Sequence, residues 1–349
     1  MIPAQRGSAL GTGNYIVNVG FGTPKVAQTV VFDTGSDVTW IQCQPCVTSC
    51  YQQQDQLFDP TKSSTYANIS CSSPDCSALQ TSGCSGSTCI YAVQYGDNSQ
   101  TVGFYAQDTL TLAPSDVIPN FKFGCGEKNS GLFGRAAGLI GLGRRPVSLV
   151  SQTAQKYGGA FSYCLPPTSS SAGYLTFGSA SASNAQFTPM LSQSGRPTFY
   201  FLELMSIFVS GQKLATSPAL FSNAGVIIDS GTVITRLPPT AYSLLRTAFR
   251  DGMKQYPTAP AASILDTCYD LRNYSTVSIP KVALQYQGAT MDLDPTGILY
   301  FASANQACLA FAPNGDDTDL AIIGNTQQRR FKVLYDVSKK TIGFGPGGC

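Results

Sequence analysis

Val31-Phe32-Asp33-Thr34-Gly35-Ser36 and Ile227-Ile228-Asp229-Ser230-Gly231-Thr232 are two copies of one phrase, with their aspartates 196 positions apart (229 less 33). Each reads as an apolar strand ending in a carboxylate, then a hydroxyl residue, a glycine and another hydroxyl residue. Each lies near the start of its own half of the chain, and the reading that decides the fold is that the two aspartates meet at one site. Two carboxylates held about 3 Å apart cannot both ionise, so they share one proton and titrate as a pair. One then serves as general base on a bound water while the other, still protonated, donates to a carbonyl oxygen. Gly35 and Gly231 lack Cβ and so admit the tight backbone approach. The neighbouring hydroxyls hydrogen-bond the carboxylates and orient them, and apolar strands lower the local dielectric. Taken singly, Asp-Thr-Gly and Asp-Ser-Gly are ordinary turn triplets. The duplication, each time after a β-branched or aromatic run, is what argues for a site.

Bulk properties narrow the alternatives. The chain has 349 residues, 43% hydrophobic and 12% charged, which marks it as globular and long enough for two or three domains. Low charge with 34 glycines and 21 prolines suits a mostly β, turn-rich fold. A net charge of +2 gives no electrostatic case for nucleic acid or an anionic membrane, and no apolar run reaches the length of a membrane-spanning helix. Histidine is absent, which excludes Ser-His and Cys-His catalysis and His-ligated zinc. Its absence also removes the side chain that switches charge between about pH 5 and 8, no loss to a protein working in acid. Twelve cysteines point to an oxidising compartment, and the even count permits full pairing. Cys43-x-x-Cys46 has zinc-ligand spacing but no matching second pair, so no metal and no cofactor are expected.

Along the chain, residues 14–22 alternate as a strand, Gly22-Thr23-Pro24 turns it, and residues 28–32 form the strand that delivers Asp33. Residues 41–90 hold seven cysteines among Ser, Thr, Gln and Asn. Such a stretch is expected to bury little apolar surface and to be ordered by covalent staples. Residues 90–111 are β-like, with Tyr95-Gly96-Asp97-Asn98-Ser99 as a hairpin turn. Pro146 and residues 148–157 read as one short helix. Residues 199–209 and 226–228 are strands, and Pro239 opens a helix over 241–255 with apolar residues at 241, 244, 245, 248, 249 and 253. Residues 331–344 form closing strands, and Arg329, Arg330, Lys332, Lys339 and Lys340 are assigned to a solvated strand face. Asn68-Ile69-Ser70 and Asn273-Tyr274-Ser275 are glycosylation sequons. Nothing at Met1 reads as a signal peptide, so the chain is expected to begin after a removed targeting and pro segment, with Met1 from expression.

The paired motifs resemble the pepsin-type aspartic proteases, and the resemblance runs over nearly the whole chain. Trp40 stands seven residues past Asp33, where that family has a tryptophan behind its flap tyrosine. Tyr95-Gly96-Asp97 is similar to the flap tip, and Leu139-Ile140-Gly141 and Ile322-Ile323-Gly324 are similar to the segments that thread beside each catalytic loop. Gln42-Cys43-Gln44-Pro45-Cys46, Phe123-Gly124-Cys125-Gly126 and Phe161-Ser162-Tyr163-Cys164 resemble the plant atypical branch, the nepenthesin and nucellin-like proteases. Two departures stand out: Asp97 replaces an uncharged flap residue, and position 236, seven past Asp229, is Arg where Trp40 has its counterpart.

The resemblance implies a bilobal pepsin-like acid protease with β-barrel-like lobes at 1–185 and 186–349. The first lobe carries the cysteine-rich insertion at 41–90 and the flap near 91–103. It implies Asp33 and Asp229 as the catalytic pair, Thr34 and Ser230 cross-bracing the loops, and Ser36 and Thr232 on the outer carboxylate oxygens. Tyr95, Gly96, Asp97 and Trp40 form the flap side of the substrate wall. The implied disulfides are Cys43–Cys46, Cys50–Cys125, Cys71–Cys89, Cys76–Cys84, Cys164–Cys349 and Cys268–Cys308. A monomeric endopeptidase acting on peptides or proteins in acid is expected, made with a propeptide and sent to the apoplast or vacuole; some relatives are assigned to plastids. Two rivals are a glycosidase-inhibiting binding protein on the same fold and a nucleoid- or DNA-associated protease. Both intact aspartates, their glycines and hydroxyls, and Tyr95 favour the enzyme, and the near-neutral charge disfavours DNA.

Overall fold

The computed structural model describes residues 1–178 and 182–349. The chain divides into two compact units, residues 1–179 and 180–349, six residues short of the expected boundary. Strands dominate both units, as the turn-rich composition requires.

In the first unit one sheet runs Ala160–Cys164, Gly173–Phe177, Ile2–Arg6, Tyr15–Phe21, Val26–Asp33, Gly138–Gly141, Trp40–Gln42, Asp116–Ser130, Gln100–Ala113, Thr88–Gln94, Ser82–Ser85. Tyr15–Phe21 pairs a second time, Gly20 opposite Thr111 and Phe21 opposite Leu110, so the sheet folds back on itself. Val26–Asp33 is buried from Gln28 onward, with strands on both sides. Burial on both faces is why it ends in a continuous apolar run and not in alternation. Two glycines let the next strand thread through. A Cβ on Gly138 would lie 2.0 Å from the Trp40 carbonyl oxygen, and one on Gly141 would lie 2.3 Å from the Asp37 carbonyl carbon. Only glycine fits where backbones approach this closely.

The second unit holds a five-stranded sheet ordered Phe201–Leu202, Val226–Ile228, Ala321–Ile323, Thr235–Leu237, Phe311–Pro313. Two four-stranded sheets are built from segments that lie between its strands in sequence, and Gln186–Pro189, Thr341–Gly345 and Lys332–Asp336 pair side by side. The helix Pro239–Asp251 has proline in its first turn and buries Ala241, Tyr242, Leu245 and Phe249, one stripe at helical spacing. It ends at Asp251, four residues before the expected end, and Met253 is buried beyond it.

Several expectations are corrected. Residues 148–157 form two short helices, Leu149–Gln152 and Ala154–Tyr157. They break at Thr153, whose hydroxyl donates to the Leu149 carbonyl at 2.7 Å and so competes with the helical ladder. Cys43 joins Cys125 instead of Cys46, and Cys46 joins Cys50 instead of leaving Cys50 to Cys125. Cys71 joins Cys84 and Cys76 joins Cys89, so the implied Cys71–Cys89 and Cys76–Cys84 pairs are exchanged. The register explains the exchange: Cys84 and Cys89 face each other across the strand pair Ser82–Ser85 and Thr88–Gln94, and each takes a partner from the preceding segment. Cys268 joins Cys308, the implied pair, from directly opposed strand positions. Cys164 and Cys349 are also oxidised.

The cysteine-rich segment contributes more core than its polar composition suggests. Ile69, Cys76, Leu79 and Cys89 pack into one buried cluster with Trp40, Tyr91 and Tyr105. Arg329 is not on a solvated face: it is 4% exposed, and its guanidinium donates to the Thr296 carbonyl at 2.7 Å and the Thr326 hydroxyl at 3.3 Å. Arg330 pairs with Asp294 and Lys339 with Asp336 at the surface.

Two outcomes follow from these contacts. Gly138→Ala should lower the unfolding free energy by about 3 kcal/mol in urea titration, since the added methyl has no room against backbone. Around Asp266, burial opposes the charge, but hydrogen bonds from Tyr242, Thr267 and Arg246 prevail and hold its carboxyl below the usual aspartate value. A depressed folded pKa means stability that is present above the unfolded value of about 3.9 and lost as pH falls through the folded one. Asp266→Asn should therefore be less stable than the parent at neutral pH, and the difference should shrink as pH drops below about 4.

Candidate active site

Both signature loops are built alike, each within its own unit. Asp33 ends the strand Val26–Asp33 and is 5% exposed. Its Oδ1 accepts from the Gly35 N–H at 2.8 Å and its Oδ2 from the Ser36 hydroxyl at 2.5 Å. Asp229 follows the strand Val226–Ile228 and is 7% exposed. Its Oδ1 accepts from the Gly231 N–H at 2.8 Å and its Oδ2 from the Thr232 hydroxyl at 2.7 Å. The glycine's place in the motif thus has a second use: its N–H is aimed at the carboxylate two residues back. Thr34 and Ser230, between acid and glycine, are fully buried.

The supporting strands repeat in the same register. Leu139 lies parallel-paired with Val31 and antiparallel to Trp40; Ile322 lies parallel-paired with Ile227 and antiparallel to Arg236. Position 236 therefore occupies the place of Trp40 in the repeat, with a different side chain. Two further residues escaped the sequence reading. The Thr39 hydroxyl accepts from the Gly141 N–H at 3.2 Å, and the Thr235 hydroxyl accepts from the Gly324 N–H at 2.9 Å. Their signal was available: each is the sixth residue after its aspartate, so the repeat is Asp-x-Gly-x-x-x-Thr. The polar run Asn325–Gln328 is fully buried. Asn325 Nδ2 donates to the Ser230 carbonyl at 3.1 Å and Gln328 Nε2 to the Asp229 carbonyl at 3.1 Å, bracing the second loop from below.

The hairpin next to the first loop is made by Thr88–Gln94 and Gln100–Ala113. Asn98 takes φ 67°, a left-handed turn position that asparagine tolerates, and Asp97 Oδ1 accepts from the Ser99 N–H at 2.9 Å. Gly96, Asp97 and Asn98 are exposed at the tip. Tyr95 is turned inward, and its hydroxyl accepts from Trp40 Nε1 at 2.8 Å. Burial first, and then the Asp33 charge, push the Tyr95 phenol well above its ordinary value, against the hydrogen bonds from Trp40 and Ser36. The phenol is therefore neutral and able to donate. Phe133, which the sequence reading passed over, stacks edge-on against both Trp40 at 5.0 Å and Tyr95 at 5.6 Å.

The donor set suits carboxylate chemistry. Each aspartate is fixed by one backbone and one hydroxyl donor, so its orientation does not depend on solvent. Removing the hydroxyl donor by Ser36→Ala, or by Thr232→Val, should lower stability by about 1–3 kcal/mol in calorimetry and, if these carboxylates do the chemistry, lower kcat about tenfold in peptide turnover.

Comparison with known proteins agrees with this geometry. Family models described as xylanase inhibitor N-terminal and xylanase inhibitor C-terminal match residues 15–179 and 199–346. An aspartyl protease family protein of Arabidopsis thaliana is 52% identical over 355 residues, spanning 100% of this chain and 75% of that protein. The aspartyl protease AED1 of the same plant is 48% identical over 351 residues, with 100% and 75% covered. Aspartic proteinase nepenthesin-2 of Nepenthes gracilis is 37% identical over 350 residues, with 97% and 78% covered. Among solved structures, that of edgp superposes with a TM-score of 0.80 at 21% identity, covering 99% of this chain and 94% of that one. Basic 7S globulin from soybean superposes with a TM-score of 0.77 at 22% identity, covering 99% and 95%. These structures show the pepsin-like fold, and with relatives of such identity over its whole length the chain belongs to the plant atypical aspartic proteases, aspartic endopeptidases of the nepenthesin kind.

Proposed function

We propose that Asp33 and Asp229 act together on one water, which attacks the carbonyl carbon of a scissile peptide bond. The observation that carries this reading is the matched pair of loops, each holding its carboxylate by a glycine N–H and a hydroxyl. One carboxylate takes the proton from water and the other, protonated, donates to the carbonyl oxygen. The gem-diol collapses as the amide nitrogen is protonated, so neither a covalent intermediate nor a metal is needed. Thr34 and Ser230 brace the two loops, and Tyr95, Gly96 and Asp97 close over the substrate with Trp40 behind them, excluding water while bonds rearrange. The shared proton sets an acid optimum.

The substrate is a peptide or protein, and the enzyme acts as a monomer. No cysteine is free among the described residues, which accords with the secretory route and delivery to the apoplast or vacuole. Asn68 and Asn273 are exposed and accessible to glycosylation. A removable propeptide accords with the same family. The match to xylanase-inhibitor family models favours a second reading, an inhibitor of a xylanase; the intact loops favour the enzyme.

The deciding measurement is cleavage of an unbiased peptide mixture from about pH 3 to about pH 8, with and without pepstatin. Cleavage confined to acid, blocked by pepstatin and reduced at least about a thousandfold in Asp229→Asn and in Asp33→Asn, is the expected result. Stable inhibition of a xylanase by a folded chain that cuts nothing at any pH would establish the second reading instead.

A further inference from the structure

We infer that Tyr51, supplied by the cysteine-rich segment, is a positioning residue for the flap tyrosine Tyr95 and acts through the Phe133 ring. This rests on the protease reading only for its effect on turnover. The contacts form one continuous stack. Tyr51 lies face to face with Phe133 at 5.7 Å and 28°. Phe133 presents its other contacts edge-on to Tyr95 at 5.6 Å and Trp40 at 5.0 Å. Trp40 Nε1 then donates to the Tyr95 hydroxyl at 2.8 Å, closing a ring of three aromatics, Phe133, Tyr95 and Trp40, on which Tyr51 is stacked. Trp40, Tyr95 and Phe133 come from strands and loops outside residues 41–90. Tyr51 is the member that the stapled segment adds.

Tyr51 is anchored at both ends. Its hydroxyl donates to the Ala136 carbonyl at 2.8 Å, and its own carbonyl accepts from the buried Gln42 Nε2 at 3.0 Å. It directly follows Cys50, which is tied to Cys46, and Gln42 directly precedes Cys43, which is tied to Cys125. Ser49 lies beside Lys128 in a parallel bridge, and Asn129 N donates to the Ser49 carbonyl at 2.7 Å. Both disulfides therefore converge on the backbone that carries this ring. A side chain fixed at its base and at its tip cannot follow Phe133 if that ring turns, so it holds Phe133 in place. Phe133 in turn fixes which way the Tyr95 ring faces when the hairpin tip moves. The stapled segment thus reaches the flap without contacting substrate.

Trp40 is the chain's single tryptophan, and it sits in this ring, so its fluorescence reports the stack directly. The experiment compares the parent chain with Tyr51→Phe, Tyr51→Leu and Tyr51→Ala. For each variant, Trp40 emission is recorded without substrate, kcat and KM are measured on one acid-cleaved peptide, and circular dichroism and melting are followed. Tyr51→Phe keeps the planar face but loses the tip hydrogen bond to the Ala136 carbonyl, so its emission and kcat should fall between those of the parent and of Tyr51→Ala. In Tyr51→Ala, emission should shift to the red and kcat should fall on the order of tenfold with KM little changed, because a misdirected flap loses transition-state contacts. Tyr51→Leu fills volume without a planar face and should show the same shift, which covers the case in which the alanine variant does not fold. A folded Tyr51→Leu or Tyr51→Ala with parental emission and parental kcat overturns the inference. A parent chain that cuts nothing overturns the protease reading, while the emission series still decides the stack.

Discussion

Everything at the two half-sites depends on one close backbone approach. The strands Gly138–Gly141 and Ala321–Ile323 each run parallel to the strand that delivers an aspartate, in the same register. At Gly141 and Gly324, which close those runs, a Cβ would lie only 2.3 Å and 2.9 Å from neighbouring backbone atoms. The tight contact fixes the carbonyl and N–H groups around the loop, and so the direction of each carboxylate. The hydroxyls of Thr39 and Thr235 then receive the glycine N–H groups that would otherwise be buried and unpaired. Geometry at the acid is thus inherited from strand pairing and not from the loop alone.

The polar interior is the second constraint. Asn325, Gln327 and Gln328 sit without solvent exposure and spend their amides on backbone carbonyls of the second loop and its neighbours. A buried amide left unpaired is strongly unfavourable, so such a network tolerates one arrangement. In the first unit the comparable rigidity is covalent and aromatic. The Cys71–Cys84 and Cys76–Cys89 bridges hold a segment whose Ile69 and Leu79 join the core with Trp40 and Tyr91.

These differences explain what could be read from the chain. Asp33 and Asp229 were legible because the information is local: a strand, an acid, a glycine and a hydroxyl within a few residues. Tyr95 and Trp40 were legible through the family pattern around them. The disulfide partners were not, because seven cysteines in one polar stretch admit many pairings and the choice is made by which residues the strand pair brings opposite. Arg329 was misread because a charged residue beside lysines looks solvated, while its partners Thr296 and Thr326 are supplied by tertiary contacts. Phe133 carried no sequence signal at all, since a phenylalanine after Gly131-Leu132 is indistinguishable from any loop aromatic.

Each acid receives its glycine and hydroxyl donors from residues no more than three positions away. Neither loop borrows the other's residues for those bonds. On the proposed mechanism, a single substitution at one aspartate would silence hydrolysis while the glycine and hydroxyl donors of the other aspartate stayed in place. In descent, that makes loss of catalysis an easy step and loss of the fold a hard one. A gene family with this architecture has a short route from cutting a protein to merely holding one.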